Sequence, residues 1–146
     1  MPDGSVRTIS EKDAIKTPKV VVSFRIMEFK CSHREITKAL GIQPTMTWSP
    51  GDKVRNTRLV HKENGWSIDI HLEDITDWHE HVERLLSEVH PFQQDLARIC
   101  GDYDAELACI FYLAGDDRPA IHFTPQQLRK LADLNAHIDV DLYLLE

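Results

Sequence analysis

The sequence predicts an α+β domain of ferredoxin-like type: an antiparallel or mixed sheet with extra strands and helices packed on one face. Three observations carry this. Several segments alternate apolar and polar residues, the period of two that gives a strand one greasy and one wet side. Amphipathic stretches with capping signatures lie between them. The resulting order is strand, helix, one or two strands, long helix, two strands, helix, strand. One-sided strands need a helical layer on one sheet face and leave the other to water or a partner.

Residues 1–18 are polar, carry Gly4 and Pro18 and show no hydrophobic period, so they are expected to form a flexible arm before a single domain over 19–146. In KVVVSFRIMEF, Val20, Val22, Phe24 and Ile26 share one side while Ser23 and Arg25 face the other. CSHREITKALGIQP follows as a helix, with Ser32 and Glu35 spaced for a capping box, Gly41 suited to a left-handed end and Pro44 preventing continuation. TMTW predicts a short strand, SPGD a turn and VRNTRLVH an irregular strand. Trp66, Ile68, Ile70 and Leu72 then alternate with Ser67, Asp69, His71 and Glu73.

Asp77 begins a helix whose apolar positions are Trp78, Val82, Leu85, Leu86 and Val89. Pro91 cannot donate a helical hydrogen bond, so a kink or new start is expected there, after which Phe92, Leu96 and Ile99 continue to Gly101. ELACIFYL and AIHF, joined through AGDDRP, predict an antiparallel hairpin. Thr124, Pro125 and Gln127 supply the cap, first-position proline and box partner of a last helix, and Asn135 its left-handed stop. Ile138, Val140, Leu142 and Leu144 alternate with Asp139, Asp141 and Tyr143 as a closing strand. SHREITKAL and TPQQLRKLA echo each other, through duplication or shared capping chemistry.

At 146 residues and 42% apolar composition, the chain can bury a core without metal or disulfides. No run of roughly 18 apolar residues suggests a membrane span, the start lacks a signal-peptide pattern, and three cysteines without C-x-x-C spacing fit free thiols in a reducing cytosol. The net charge of −7 disfavours nucleic acid, whose binding rests on cations displacing counterions. The exception is GDKVRNTRLVHK, where Lys53, Arg55 and Arg58, with the flanking Trp48 and Trp66, could hold an anionic ligand. Its plainer reading is a solvated hairpin with both tryptophans anchoring the core.

The stretch IDIHLEDITDWHEHVE sets three histidines among six carboxylates. On a helix His79 and His81 diverge by roughly 160° and cannot share one ion. His79 and Glu83 share a side, but the H-E-x-x-H zinc pattern is absent. A second constellation consists of Arg25, Asp69, His71, His122, Asp139, Asp141 and Tyr143, all in the polar phase of expected strands. If the strands of His71, His122 and Asp139 or Asp141 were neighbours, they could bind a divalent metal or move a proton. Any half-exposed sheet needs such residues, however, so no catalytic residue, metal or cofactor is assigned. The sequence shows no phosphate-binding glycine loop and no nucleophile elbow.

VSFRI, EITKALGIQPT, SPGDK, GWSIDI, DWHEHVERLL and TPQQLRKLADLNAHIDVDLY, in that order, resemble the bacterial family called domain of unknown function 4279, across nearly all residues from 20 to 143. By that likeness Gly41, Pro44, Thr45, Gly51 and Trp66 bear the pattern. The resemblance implies a small bacterial cytoplasmic protein and carries no established activity. Two expectations follow. The favoured one is a non-catalytic binding module without a membrane or nucleic-acid partner, of an immunity type that masks a basic protein. The other is an enzyme or small-anion receptor built on the Trp48, Arg58 and Trp66 region. A homodimer through the uncovered sheet face stays open.

Overall fold

The computed structural model describes residues 19–145; the arm expected over 1–18 lies outside them. Strands β1 (Val20–Met27), β2 (Met46–Trp48), β3 (Gly65–Leu72), β4 (Asp104–Ala114) and β5 (Ala136–Leu145) form one sheet in the order β2-β3-β1-β4-β5. The pairs β2–β3, β3–β1 and β1–β4 are antiparallel, whereas β4–β5 is parallel. With helices α1 (His33–Leu40), α2 (Trp78–Val89) and α3 (Gln93–Cys100), the first four strands make a ferredoxin-like β-α-β-β-α-β unit. Helix α4 (Pro125–Asp133) carries the chain to the added strand β5.

Register explains the layering. Directly opposed residues point to the same side of a sheet, so Phe24 joins Ile68 and Leu107, and Ile26 joins Trp66 and Ala105, beneath the helices. Val20, Val22, Phe24, Ile26 and Trp66 are fully buried there with Val82, Leu86 and Leu96. Burying each such side chain contributes about 1.5–3 kcal/mol relative to exposure. The Trp66 indole also donates from Nε1 to Thr37 Oγ1 of α1 at 2.9 Å, so its one polar atom is satisfied inside the core.

The caps form as spaced. Glu35 N donates to Ser32 Oγ while Ser32 N donates to Glu35 Oε1, and Thr124 and Gln127 exchange the same pair of bonds. Gly41 ends α1 at φ 70°, and Asn135 adopts φ 55° before β5. Pro91 breaks the long helix: a 3-10 turn at His90–Phe92 separates α2 from α3. Asp77 sits at the start of α2 but makes no side-chain cap.

Two expectations need correction. AIHF is not a strand; residues 115–124 run as irregular chain into α4, and the strand beside β4 is β5, parallel and reached by a crossover. Phe123 packs against the core, edge-on to Trp78 at 5.9 Å between ring centroids. That apolar anchor, rather than ladder pairing, explains why the segment alternates. In β5 the alternation is real but the helical layer stops short. Ile138 and Val140 are half-buried, whereas Leu142 is 54% and Leu144 81% exposed.

Candidate functional site

The face of the sheet opposite the helices gathers polar residues from four strands. Cross-strand partners fix the rows: Arg25 beside Ser67 and Glu106, Ser23 beside Asp69 and Ala108, Val21 beside His71 and Ile110. On the far side His137, Asp139, Asp141 and Tyr143 continue the rows from Glu106, Ala108, Ile110 and Tyr112. Six of the seven residues grouped from strand phase, Arg25, Asp69, His71, Asp139, Asp141 and Tyr143, therefore share this surface.

A hydrogen-bonded chain crosses its centre. Ser23 Oγ donates to Asp69 Oδ1 at 2.5 Å, Arg25 Nε donates to Ser23 Oγ at 3.2 Å, and the Arg25 guanidinium lies 3.6 Å from Glu106 Oε1. His137 Nε2 meets the other Glu106 oxygen at 3.2 Å. Ser23 is fully buried although it points to the helix-free side. Part of this face is overlain by the segment after β2. Residues 51–61 fold as a hairpin through Gly51 N to His61 O and Val54 N to Leu59 O, with a single bridge between Lys53 and Val60.

Beneath that hairpin lie two adjoining clefts. One, of about 130 Å³, is lined by Arg25, Met46, Trp48, Val54, Arg55, His61, Ser67 and Asp69. The other, of about 330 Å³, is lined by Val21, Arg25, Arg55, Asp69, His71, Ile110 and Tyr112. Arg25, Arg55 and Asp69 belong to both. Arg55 holds φ 52°, a left-handed conformation that costs an arginine about 1 kcal/mol and is kept only where the surroundings enforce it. Trp48 walls the smaller cleft, stacked on His61 with ring centroids 4.9 Å apart. Its indole lies directly over Gly65, where a β-carbon would collide with the ring at 1.9 Å.

Several proposed groupings do not form. Trp66 is in the core on the opposite face from Trp48, so the two tryptophans do not frame one pocket. Lys53 and Arg58 are exposed on the hairpin and line neither cleft. His122 is on the helical side, its ring 4.5 Å from that of His79. Strands β1 and β4 separate β3 from β5, which puts His71 and Asp141 about 14 Å apart, too far to share an ion. No group of three metal-capable side chains occurs among the described residues.

His79 and His122 border a groove of about 450 Å³ with Glu80, Glu83, Arg84, Thr124 and Gln127. Burial, with a smaller contribution from His122, holds the His79 imidazole below its ordinary pKa. Glu83 is already engaged, accepting from Gln127 Nε2 at 3.1 Å and lying 3.6 Å from Lys130 Nζ.

Sequence reasoning placed Ser23 on the polar side of its strand without giving it a role, and missed Glu106, Tyr112 and Gly65 as parts of the open face. Glu106 and Tyr112 share a strand phase, but Ala108 and Ile110 between them disguise it as part of a continuous apolar run. Gly65 before Trp66 was the available sign that something packs closely on the backbone.

No helix among the described residues is long and apolar enough to cross a membrane. No curated protein and no solved structure matches the chain. A family model does, over residues 18–145, and with that span the chain belongs to the family described as Domain of unknown function (DUF4279).

Proposed function

We propose that the protein is a non-catalytic binding module whose recognition surface is the open face of the sheet, and that its partner is a protein presenting basic side chains, as in an immunity-type masking interaction. The observation that carries this is a four-strand polar face without a helical layer, held in place by the chain from Asp69 through Ser23 and Arg25 to Glu106 and His137. Such a network fixes rotamers before binding and so reduces the entropy a partner must overcome. Asp139 and Asp141 stand beside it with no ion pair among the described residues, and the net charge of −7 steers cationic surfaces toward the molecule. The chemistry for catalysis is poorly matched. Burial raises the Cys109 thiol to about 12 and pushes up Cys31 and Cys100, which keeps all three protonated at neutral pH.

The test is affinity capture from the source cell's native lysate with the wild type and with the Asp139→Lys/Asp141→Lys variant, at two ionic strengths. A basic protein retained by the wild type, weakened by salt and lost with the variant supports the reading. Identical capture by both proteins removes it.

A second reading rests on Arg55. Its left-handed backbone places it at both clefts near Arg25, His71 and Tyr112, an arrangement able to take a small carboxylate or phosphate. Calorimetry with inorganic phosphate and citrate decides it: binding abolished by Arg55→Ala supports an anion site, and no heat at millimolar anion rejects it.

A further inference from the structure

Three cysteines, odd in number and far apart in sequence, predict isolated thiols. The fold brings two of them together. Cys31 follows β1 immediately before the Ser32 cap of α1, and Cys100 is the last residue of α3. They are 69 positions apart in sequence, yet their Sγ atoms are 3.0 Å apart. Two non-bonded sulfurs normally sit farther apart than this, and a disulfide requires about 2.05 Å. The chain before Cys31 is held in place, since Lys30 N donates to Cys100 O at 3.4 Å and the Asn64 side chain donates from Nδ2 to Phe29 O at 2.8 Å. Cys100 is fully buried and Cys31 half-exposed, so an oxidant from solvent meets Cys31 first. Cys109, buried on β4, is an internal control because no other cysteine sulfur bonds to it.

We propose that Cys31 and Cys100 form a redox-active dithiol, which a two-electron oxidant of the peroxide class converts into a disulfide clamping the start of α1 to the end of α3. The Cys31 thiol loses its proton, the thiolate attacks a peroxide oxygen, the O–O bond breaks, and the products are a Cys31 sulfenic acid and hydroxide, which takes up the proton lost by Cys31 to become water. The Cys100 thiol then attacks the Cys31 sulfur, the S–O bond breaks, and a second water leaves with the proton of Cys100. Two thiols and one hydrogen peroxide become one disulfide and two waters, with two electrons passing to the peroxide. Because burial disfavours both thiolates, the reaction is slow at neutral pH and accelerates about tenfold per pH unit while the thiolate stays the minor form. A dithiol reductant reverses it.

The clamp closes a long loop of the unfolded chain, so oxidation should raise the melting temperature by roughly 5–10 °C. The experiment treats the reduced full-length protein with hydrogen peroxide, alkylates it in denaturant and maps the peptides by mass spectrometry. The expected result is a linked Cys31–Cys100 peptide pair, an alkylated Cys109, and a melting shift that dithiothreitol abolishes. The Cys31→Ser variant, altered at the half-exposed position, should keep two alkylatable thiols and show no shift. Persistence of all three thiols, sulfinic acid at Cys31 beside a free Cys100, or only intermolecular Cys31–Cys31 pairs would each overturn the proposal.

Discussion

The two faces of the sheet are made by the same strands and obey different rules. On the helical face the β1 positions Val20, Val22, Phe24 and Ile26 are apolar side chains with no directional needs, buried by area alone. On the open face the contacts are directional: a serine bonds to a carboxylate, and a guanidinium bridges that serine to a glutamate on the next strand. Volume and stability belong to the first face. Geometry and recognition are available to the second.

The widest separation between them is expected at Trp66. It is fully buried, and its Nε1 bond to Thr37 is lost with the ring, so Trp66→Ala should cost about 3–5 kcal/mol by urea denaturation. Tyr143, 52% exposed on the open face, should cost well under 1 kcal/mol when changed to alanine. Comparable losses at the two positions would show that the open face is a second core.

Next in size is Gly65, where the close approach is to a ring of the open face. A methyl group at this position cannot coexist with the Trp48 indole as placed. Gly65→Ala should therefore cost about 1–3 kcal/mol and shift Trp48 fluorescence as the ring leaves its stack with His61. An unchanged spectrum with unchanged stability would mean that the ring does not rest on the backbone.

This contrast also explains what could be read from the sequence. Period-two alternation reports which residues share a side, and it identified β1, β3 and β5; in β1 its apolar side is buried throughout, whereas in β5 Leu142 and Leu144 on that side are exposed. Capping pairs at Ser32/Glu35 and Thr124/Gln127 are local chemistry and formed as spaced. Strand order is set by packing among distant elements. Arg25 and Glu106 are 81 positions apart by residue number, and nothing local announces that β1 lies between β3 and β4. The misread segment 120–123 shows the converse error, because one apolar anchor, Phe123, with an exposed Ile121 two positions before it has the same spacing as a strand. His122 was consequently grouped with the open face when it belongs to the helical side.

Ser23 tests the directional rule at smaller scale. Its hydroxyl is buried and serves two partners, donating to Asp69 and accepting from Arg25. Ser23→Ala leaves both partners without it, and the expected loss is about 1–2 kcal/mol. A double-mutant cycle with Asp69→Ala should show coupling, since removing either side breaks the same bond. Additive losses would mean that the network is held by the strands alone.

The smallest expected effect is on the helical side, at His79. Its ring lies against Trp78 at 4.0 Å and against His122 at 4.5 Å between centroids, and Glu80, Glu83 and Arg84 face the same groove. Burial first, then His122, lowers its pKa in the folded chain below the ordinary value near 6.5. Above that value the imidazole is neutral in both folded and unfolded chains, and its contribution to stability is complete. As pH falls below about 6.5 the unfolded chain takes up the proton more readily, so the contribution declines until the folded group also titrates. Wild type and His79→Gln should then differ more at pH 7.5 than at pH 5.5 in urea midpoint, with the wild type losing ground as acid is added. A gap that stays constant with pH, or widens in acid, would show that the neutral ring is not what the groove prefers.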